Sequence, residues 1–353
     1  MSKARWARVL IVEDSPTTAR LLVDGISRDQ RLAVAGVALS AGEAVTLAEQ
    51  LQPDVITVDL TLPDQTGLDV ILRVLNTSYV PIIVVSSQPH NGTANSAFRA
   101  LLAGAADIVP KPSGEPGALR AFFDDLNERI ASLAAARAVP THRPTPARLP
   151  RTRQQSGGAG VECVVVGAST GGPTALVEFL SGIGPDFPAP VVMVQHIASP
   201  FVEGLVRWLN QETPIPVKLA SDGETLERGR GYIAPAAADL LLKTGGKLSL
   251  KNAQPGRTHI APSADALFES AAEVYKSRLV AVLLSGMGKD GAAGLLKVRA
   301  KGGKTFAQDE GSCTVFGMPG AAGRMGAVET FADPRSIAAS LRKLVERPER
   351  MTE

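Results

Sequence analysis

Residues 163–173 read Cys163-Val164-Val165-Val166-Gly167-Ala168-Ser169-Thr170-Gly171-Gly172-Pro173, and this stretch decides the fold. The apolar run Cys163–Val166 has the length and composition of a buried strand. Thr174-Ala175-Leu176-Val177-Glu178-Phe179-Leu180 follows with helical spacing, and Pro173 sits near its first turn. Ser169 therefore lies on a glycine-rich turn between a strand and a helix. That turn exposes a side chain at the strand's carboxyl end, near the positive pole of the helix. A nucleophilic serine needs such a place, because its alkoxide and the later oxyanion are both negative. The alternatives are a phosphate-cradling loop and a plain tight turn. This stretch is neither G-x-G-x-x-G nor a Walker loop, so nucleotide binding has little support there.

Working outward, residues 161–345 alternate apolar runs with helical segments. The expected strands are Cys163–Val166, Val191–Val194, Val217–Ala220, Gly231–Ile233 and Leu279–Leu284, with Arg257–Ile260 and Gly303–Ala307 as weaker candidates. Helices are expected over Pro173–Gly182, Pro200–Asn210, Ala264–Tyr275 and Gly291–Lys301. This order predicts a mostly parallel sheet with function at its carboxyl ends.

Serine needs a base, and the base needs an orienting group. The chain has four histidines, His90, His142, His196 and His259. Only His196 follows a predicted strand as Ser169 does. Its alternative is a structural place ahead of the helix that starts at Ser199-Pro200. Leu279–Leu284 runs into Ser285-Gly286-Met287-Gly288-Lys289-Asp290-Gly291, which carries one carboxylate. Asp290 is the candidate acid, or else a cap for the helix beginning near Gly291. Glycines beside Met287 free backbone N–H groups, which makes Met287 an oxyanion-hole candidate, with Thr170 a second. The order Ser…His…Asp differs from that of the α/β-hydrolases.

Residues 8–130 show the same alternation. Arg8–Val12, Val55–Val58 and Pro81–Val85 read as strands, with amphipathic stretches at Thr18–Ser27 and Ala41–Leu51. Strand ends carry Glu13 and Asp14, then Asp59, then Ser86 and Ser87, then Lys111-Pro112. Three carboxylates, a hydroxyl and a lysine on one rim suit Mg²⁺ and a phosphoryl group. Between the two regions, residues 131–160 pass from an alanine-rich run into a segment rich in proline, arginine and glycine. This predicts a linker.

Composition narrows the class. Apolar residues make up 44% and charged residues 20%, a globular balance. The 37 basic and 35 acidic residues leave a net charge of +2, which argues against a dedicated nucleic-acid binder. No apolar run is long enough to span a bilayer, and no secretory pattern opens the chain. Two isolated cysteines, Cys163 and Cys313, read as free thiols in a reducing compartment, so the expected location is cytoplasmic.

At this point resemblance adds to the reading. Residues 8–125 resemble a response-regulator receiver domain. The match rests on Val12-Glu13-Asp14-Ser15, Val58-Asp59-Leu60, Leu62-Pro63 with Gly67, Val85-Ser86-Ser87, and Gly104-Ala105-Ala106-Asp107 leading to Lys111-Pro112. It implies phosphorylation at Asp59, Mg²⁺ on Glu13, Asp14 and Asp59, and phosphoryl contacts from Ser86 and Lys111. One departure is Ile108, which stands where the family carries an aromatic switch residue.

Residues 161–348 resemble the catalytic domain of the chemotaxis protein-glutamate methylesterases. This match rests on Gly167–Pro173, Val194-Gln195-His196, Tyr232-Ile233-Ala234-Pro235, Pro262–Phe268, Ser285–Gly291, Ala307-Gln308-Asp309-Glu310 and Phe316-Gly317-Met318-Pro319. Asp64-Gln65-Thr66 and Gly311-Ser312-Cys313 depart from the usual pattern. The implied architecture is two doubly wound α/β domains, a flavodoxin-like receiver and a Rossmann-like methylesterase domain, on either side of the linker. The resemblance implies demethylation and deamidation on chemoreceptor cytoplasmic helices, with no cofactor for the esterase step. It also implies a histidine kinase as phosphodonor, and an unphosphorylated receiver packed over the active-site rim. Two other classes stay open: a receiver-gated serine hydrolase with another substrate in a non-motility pathway, and a non-catalytic adaptor.

Overall fold

Short runs of valine and isoleucine, buried on both faces, form a parallel sheet in each of two units, Met1–Pro140 and Thr141–Glu353. The computed structural model describes residues 6–87, 93–112, 117–138, 160–252 and 261–345. In the first unit, strands β1 (Ala7–Val12), β2 (Leu32–Ala38), β3 (Val55–Val58), β4 (Ile82–Ser86) and β5 (Asp107–Pro110) alternate with five helices. These are α1 (Pro16–Ile26), α2 (Ala41–Leu51), α3 (Gly67–Thr77), α4 (Thr93–Leu102) and α5 (Ala118–Ala138). The strand order is β2-β1-β3-β4-β5, all parallel. Strand order reverses across β1 and β3, which opens a crevice at their carboxyl ends. Side chains start the helices: Ser15 caps α1, Ser40 caps α2, and Thr66 with Asp69 forms a capping box on α3.

One expected boundary is corrected. Residues 131–138, assigned above to the linker, are the last turns of α5. Alanine is the best helix former, and Ile130 and Leu133 are buried, so Ala134–Ala138 prolongs the helix rather than ending it. The remainder of the expected linker with His142, and also His90 and Arg257–Ile260 with His259, lie outside the described residues.

The second unit runs β6 (Cys163–Ala168), α6 (Gly172–Ile183), β7 (Val191–Gln195), α7 (Val202–Glu212), β8 (Val217–Leu219), β9 (Gly231–Ile233), β10 (Ala238–Lys243) and β11 (Lys247–Asn252). It continues through α8 (Ala264–Tyr275), β12 (Leu279–Leu283), α9 (Ala292–Ala300), β13 (Lys304–Gln308), α10 (Met318–Arg324), β14 (Thr330–Ala332) and α11 (Pro334–Val345). Seven parallel strands lie in the order β14-β13-β12-β6-β7-β9-β8. β10 and β11 form a separate antiparallel hairpin, left unassigned by the sequence reading, as were β14, α10 and α11. Among the described residues, no helix is long and apolar enough to cross a membrane.

The core of this unit packs Phe268, Leu267 and Ala271 of α8 and the hairpin's Leu240, Leu242 and Leu248 against Val165, Val192 and Tyr232 of the sheet. Phe268 is fully buried. Phe268→Ala is expected to cost about 3–5 kcal/mol, from lost transfer energy plus the cavity left behind. Urea denaturation should show this as a lower midpoint at unchanged slope.

Candidate active site

The central strand β6 delivers the nucleophile, and its two neighbours deliver the rest. β7 lies on one side and β12 on the other, so strand order reverses at β6. The ladder continues past the strand ends. The His196 N–H donates to Ala168 O at 2.9 Å, and the Ser169 N–H donates to Ser285 O at 3.0 Å. The backbones of Ser169, His196 and the Ser285–Gly291 loop are thereby fixed on one rim. Gly171, at φ +75°, turns the chain into α6 in a conformation that side chains rarely adopt. Ser169 is almost wholly buried in this turn.

His196 Nε2 lies 2.9 Å from Asp290 Oδ2. The other partners of that carboxylate are all donors. The Ala264 N–H reaches Oδ2 at 2.7 Å, the Ser263 hydroxyl reaches Oδ1 at 2.9 Å, and the Asp265 N–H reaches Oδ1 at 3.1 Å. Asp290 therefore does cap a helix, but the helix is α8 and not the α9 that follows it. Burial pushes its carboxyl up, yet the hydrogen bond and charge of His196 and the α8 amides outweigh this and hold it below the usual carboxylate value. An ionised acceptor with this donor pattern assigns the hydrogen to Nε2 and leaves Nδ1 as the basic nitrogen. Among the described residues no hydrogen bond joins the Ser169 side chain to His196, as is common before substrate aligns the pair.

Gly286 closes the other side. A Cβ at that position would lie 2.9 Å from the Ser169 Cβ, so only glycine lets the loop come so near. The Gly286 N–H is taken by Val315 O at 3.1 Å, and the next residue, Met287, is half-buried. Thr170 is buried, and its carbonyl accepts from the Ser285 hydroxyl at 2.8 Å. Gln195 was overlooked in the sequence. Its buried amide donates to Ser169 O at 2.8 Å and His196 O at 3.0 Å, tying both turns together. Its position as the last residue of a strand and neighbour of the histidine was the available signal.

The first unit gathers its candidates in the β1/β3 crevice. Carboxylate oxygens of Glu13, Asp14 and Asp59 lie within 4.8 Å of one another. Lys111 Nζ reaches Asp59 Oδ2 at 2.5 Å and forms an ion pair with Glu13 Oε2 at 2.7 Å. Burial pushes Glu13 up despite Lys111; burial would lower Lys111, but its bonds to Asp59 and Glu13 hold it up. Ser86 is buried at the end of β4, and its carbonyl accepts from the Lys111 N–H at 2.8 Å. An all-oxygen set with three acids against one lysine has the hardness and excess negative charge that a divalent cation fits. Ile108 is buried in β5.

Comparison with known proteins gives the family of both units. Residues 164–341 match the family model of the CheB methylesterase, and residues 9–123 match that of the response regulator receiver domain. The chain is 41% identical over 323 residues to a protein-glutamate methylesterase/protein-glutamine glutaminase of Myxococcus xanthus, covering 91% of this chain and 89% of that one. It is likewise 41% identical over 345 residues to one from Anaeromyxobacter dehalogenans, covering 96% and 97%. Among solved structures, the CheB methylesterase catalytic domain of Thermotoga maritima is 38% identical with a TM-score of 0.50, covering 53% of this chain and all of that one. The chain thus belongs to the CheB methylesterase family, with a receiver domain ahead of its methylesterase domain.

Proposed function

We infer that this chain is a phosphorylation-regulated protein-glutamate methylesterase and protein-glutamine glutaminase, acting through Ser169, His196 and Asp290. The observation that carries the reading is the contact of His196 Nε2 with a carboxylate that three further donors hold in place. Nδ1 of His196 takes the Ser169 hydroxyl proton as Oγ attacks the γ-carbonyl of a glutamyl methyl ester. Asp290 fixes the Nε2–H tautomer and stabilises the imidazolium. The Met287 and Thr170 amides hold the oxyanion. His196 returns the proton to the leaving methoxide, so methanol departs and an acyl-serine remains. Water, deprotonated by the same nitrogen, then releases the glutamate carboxylate. With a glutamine substrate the leaving group is ammonia.

In the receiver, Asp59 accepts the phosphoryl group. Lys111 and Ser86 contact it, and Glu13, Asp14 and Asp59 would hold Mg²⁺, which when bound would neutralise charge on the phosphoryl oxygens. Chemoreceptors are the substrate proteins, a histidine kinase is the phosphodonor, and the site of action is the cytoplasm. The test is methanol release from methylated receptor membranes by the whole chain. Steady release supports the reading, while cleavage of a small ester without methanol release from receptors would send the hydrolase to another substrate.

A further inference from the structure

The segment Pro262–Phe268 has so far supplied two amides and the Ser263 hydroxyl to Asp290, but the Asp265 side chain turns to the other helix. Helices α8 and α9 meet amino end to amino end, and each is capped by a carboxylate from the other. Asp290, just before α9, takes the Ala264 and Asp265 N–H groups of α8. Asp265, in the first turn of α8, takes the Gly294 N–H of α9 at 2.6 Å. Gly294 has no room for a side chain, since a Cβ there would lie 2.9 Å from the Asp265 Cα. The exchange pins the Ser285–Gly291 loop at its far end, next to the carboxylate that meets His196.

A second carboxylate here is unfavourable. Burial pushes the Asp265 carboxyl up, and the charge of Asp290 adds to this against the Gly294 bond. Ser263 shows that a neutral side chain can cap a helix at this junction, because its hydroxyl accepts from the Ala266 N–H at 3.2 Å. The Asp265 carboxylate thus stands beside another at an electrostatic cost, and what it fixes there is the amino end of α9.

We propose that Asp265 is a positioning residue for hydrolysis, which acts through the amino end of α9 to hold Asp290 against His196. This rests on Asp290 being the acid of the triad.

The test is a double-mutant cycle in the whole chain, on a peptide carrying a glutamate γ-methyl ester. Asp265→Ala is expected to lower kcat by about 10- to 100-fold with little change in KM, since small misplacements near the chemistry have effects of this size. Asp265→Asn, which keeps an acceptor for Gly294, should restore most of the rate. In an Asp290→Ala background, Asp265→Ala should have no further effect, because the two residues act as a unit. Asp265→Leu, which is of similar shape and accepts no hydrogen bond, replaces the alanine variant in the cycle if the latter does not fold. An unchanged kcat in Asp265→Ala, or an equal drop in both backgrounds, would overturn the proposal. Full activity of Asp290→Ala alone would instead overturn the triad assignment on which it rests.

Discussion

Ser169→Ala is expected to lower ester hydrolysis by on the order of 10⁶-fold in kcat, the scale on which loss of a serine nucleophile acts in a triad. The variant should keep its fold. The turn around residue 169 is built from backbone bonds, with the N–H on Ser285 O, the carbonyl on the Gly172 N–H and the Gln195 amide, and none of them uses the hydroxyl. What disappears is the acyl-enzyme. Quenched mass spectrometry of the wild type with the γ-methyl ester peptide should show an adduct on the peptide containing Ser169. The alanine variant should show none. Equal rates in the two proteins would remove Ser169 from the chemistry.

Asp290→Asn is expected to lower kcat by about 10⁴-fold, because an amide in this place favours the wrong tautomer. The reason is local. His196 Nε2, the Ser263 hydroxyl and the Ala264 and Asp265 amides all converge as donors on this one group. A carboxylate accepts from all of them, whereas an asparagine brings an NH₂ that opposes at least one. The same substitution alters stability against pH. The folded carboxyl is held below its unfolded value, so its contribution is fully present above the unfolded value and is lost as pH falls through the folded one. Urea midpoints of the wild type should therefore drop on acidification across that window, and those of Asp290→Asn should drop less. Parallel curves would mean that the carboxylate is not specially stabilised.

The proposed nucleophile and base were legible because Ser169 and His196 directly follow apolar runs that became parallel strands, and the proposed acid because Asp290 lies in the loop after a third. Such strands place their next residues on one rim whatever lies between them in sequence. The role of Asp290 as a cap was legible too, but not its target. It caps α8, whose Ala264 lies 26 residues earlier, and only tertiary packing brings the two together. The hairpin of β10 and β11 was missed although Gly245-Gly246 and the alternation in Lys247–Lys251 signal one. The run Leu240-Leu241-Leu242 resembles a buried strand of the main sheet, and only packing sends it elsewhere. The end of α5 was misplaced because the proline-rich segment beyond it was taken to extend back into alanines, which locally prefer helix. Gln195 carries no chemistry of its own, and its value lies in two backbone carbonyls that no periodicity reveals.

Phosphorylation of the receiver is expected to raise the rate of the esterase. The most direct measurement is the rate of methanol release from methylated receptor membranes by the whole chain, with and without acetyl phosphate and Mg²⁺, in the wild type and in Asp59→Asn. A wild-type rate that rises with the phosphodonor, beside an Asp59→Asn rate that does not respond, is the predicted result. A rise of equal size in both proteins, or no rise in either while receptors are still demethylated, would contradict it.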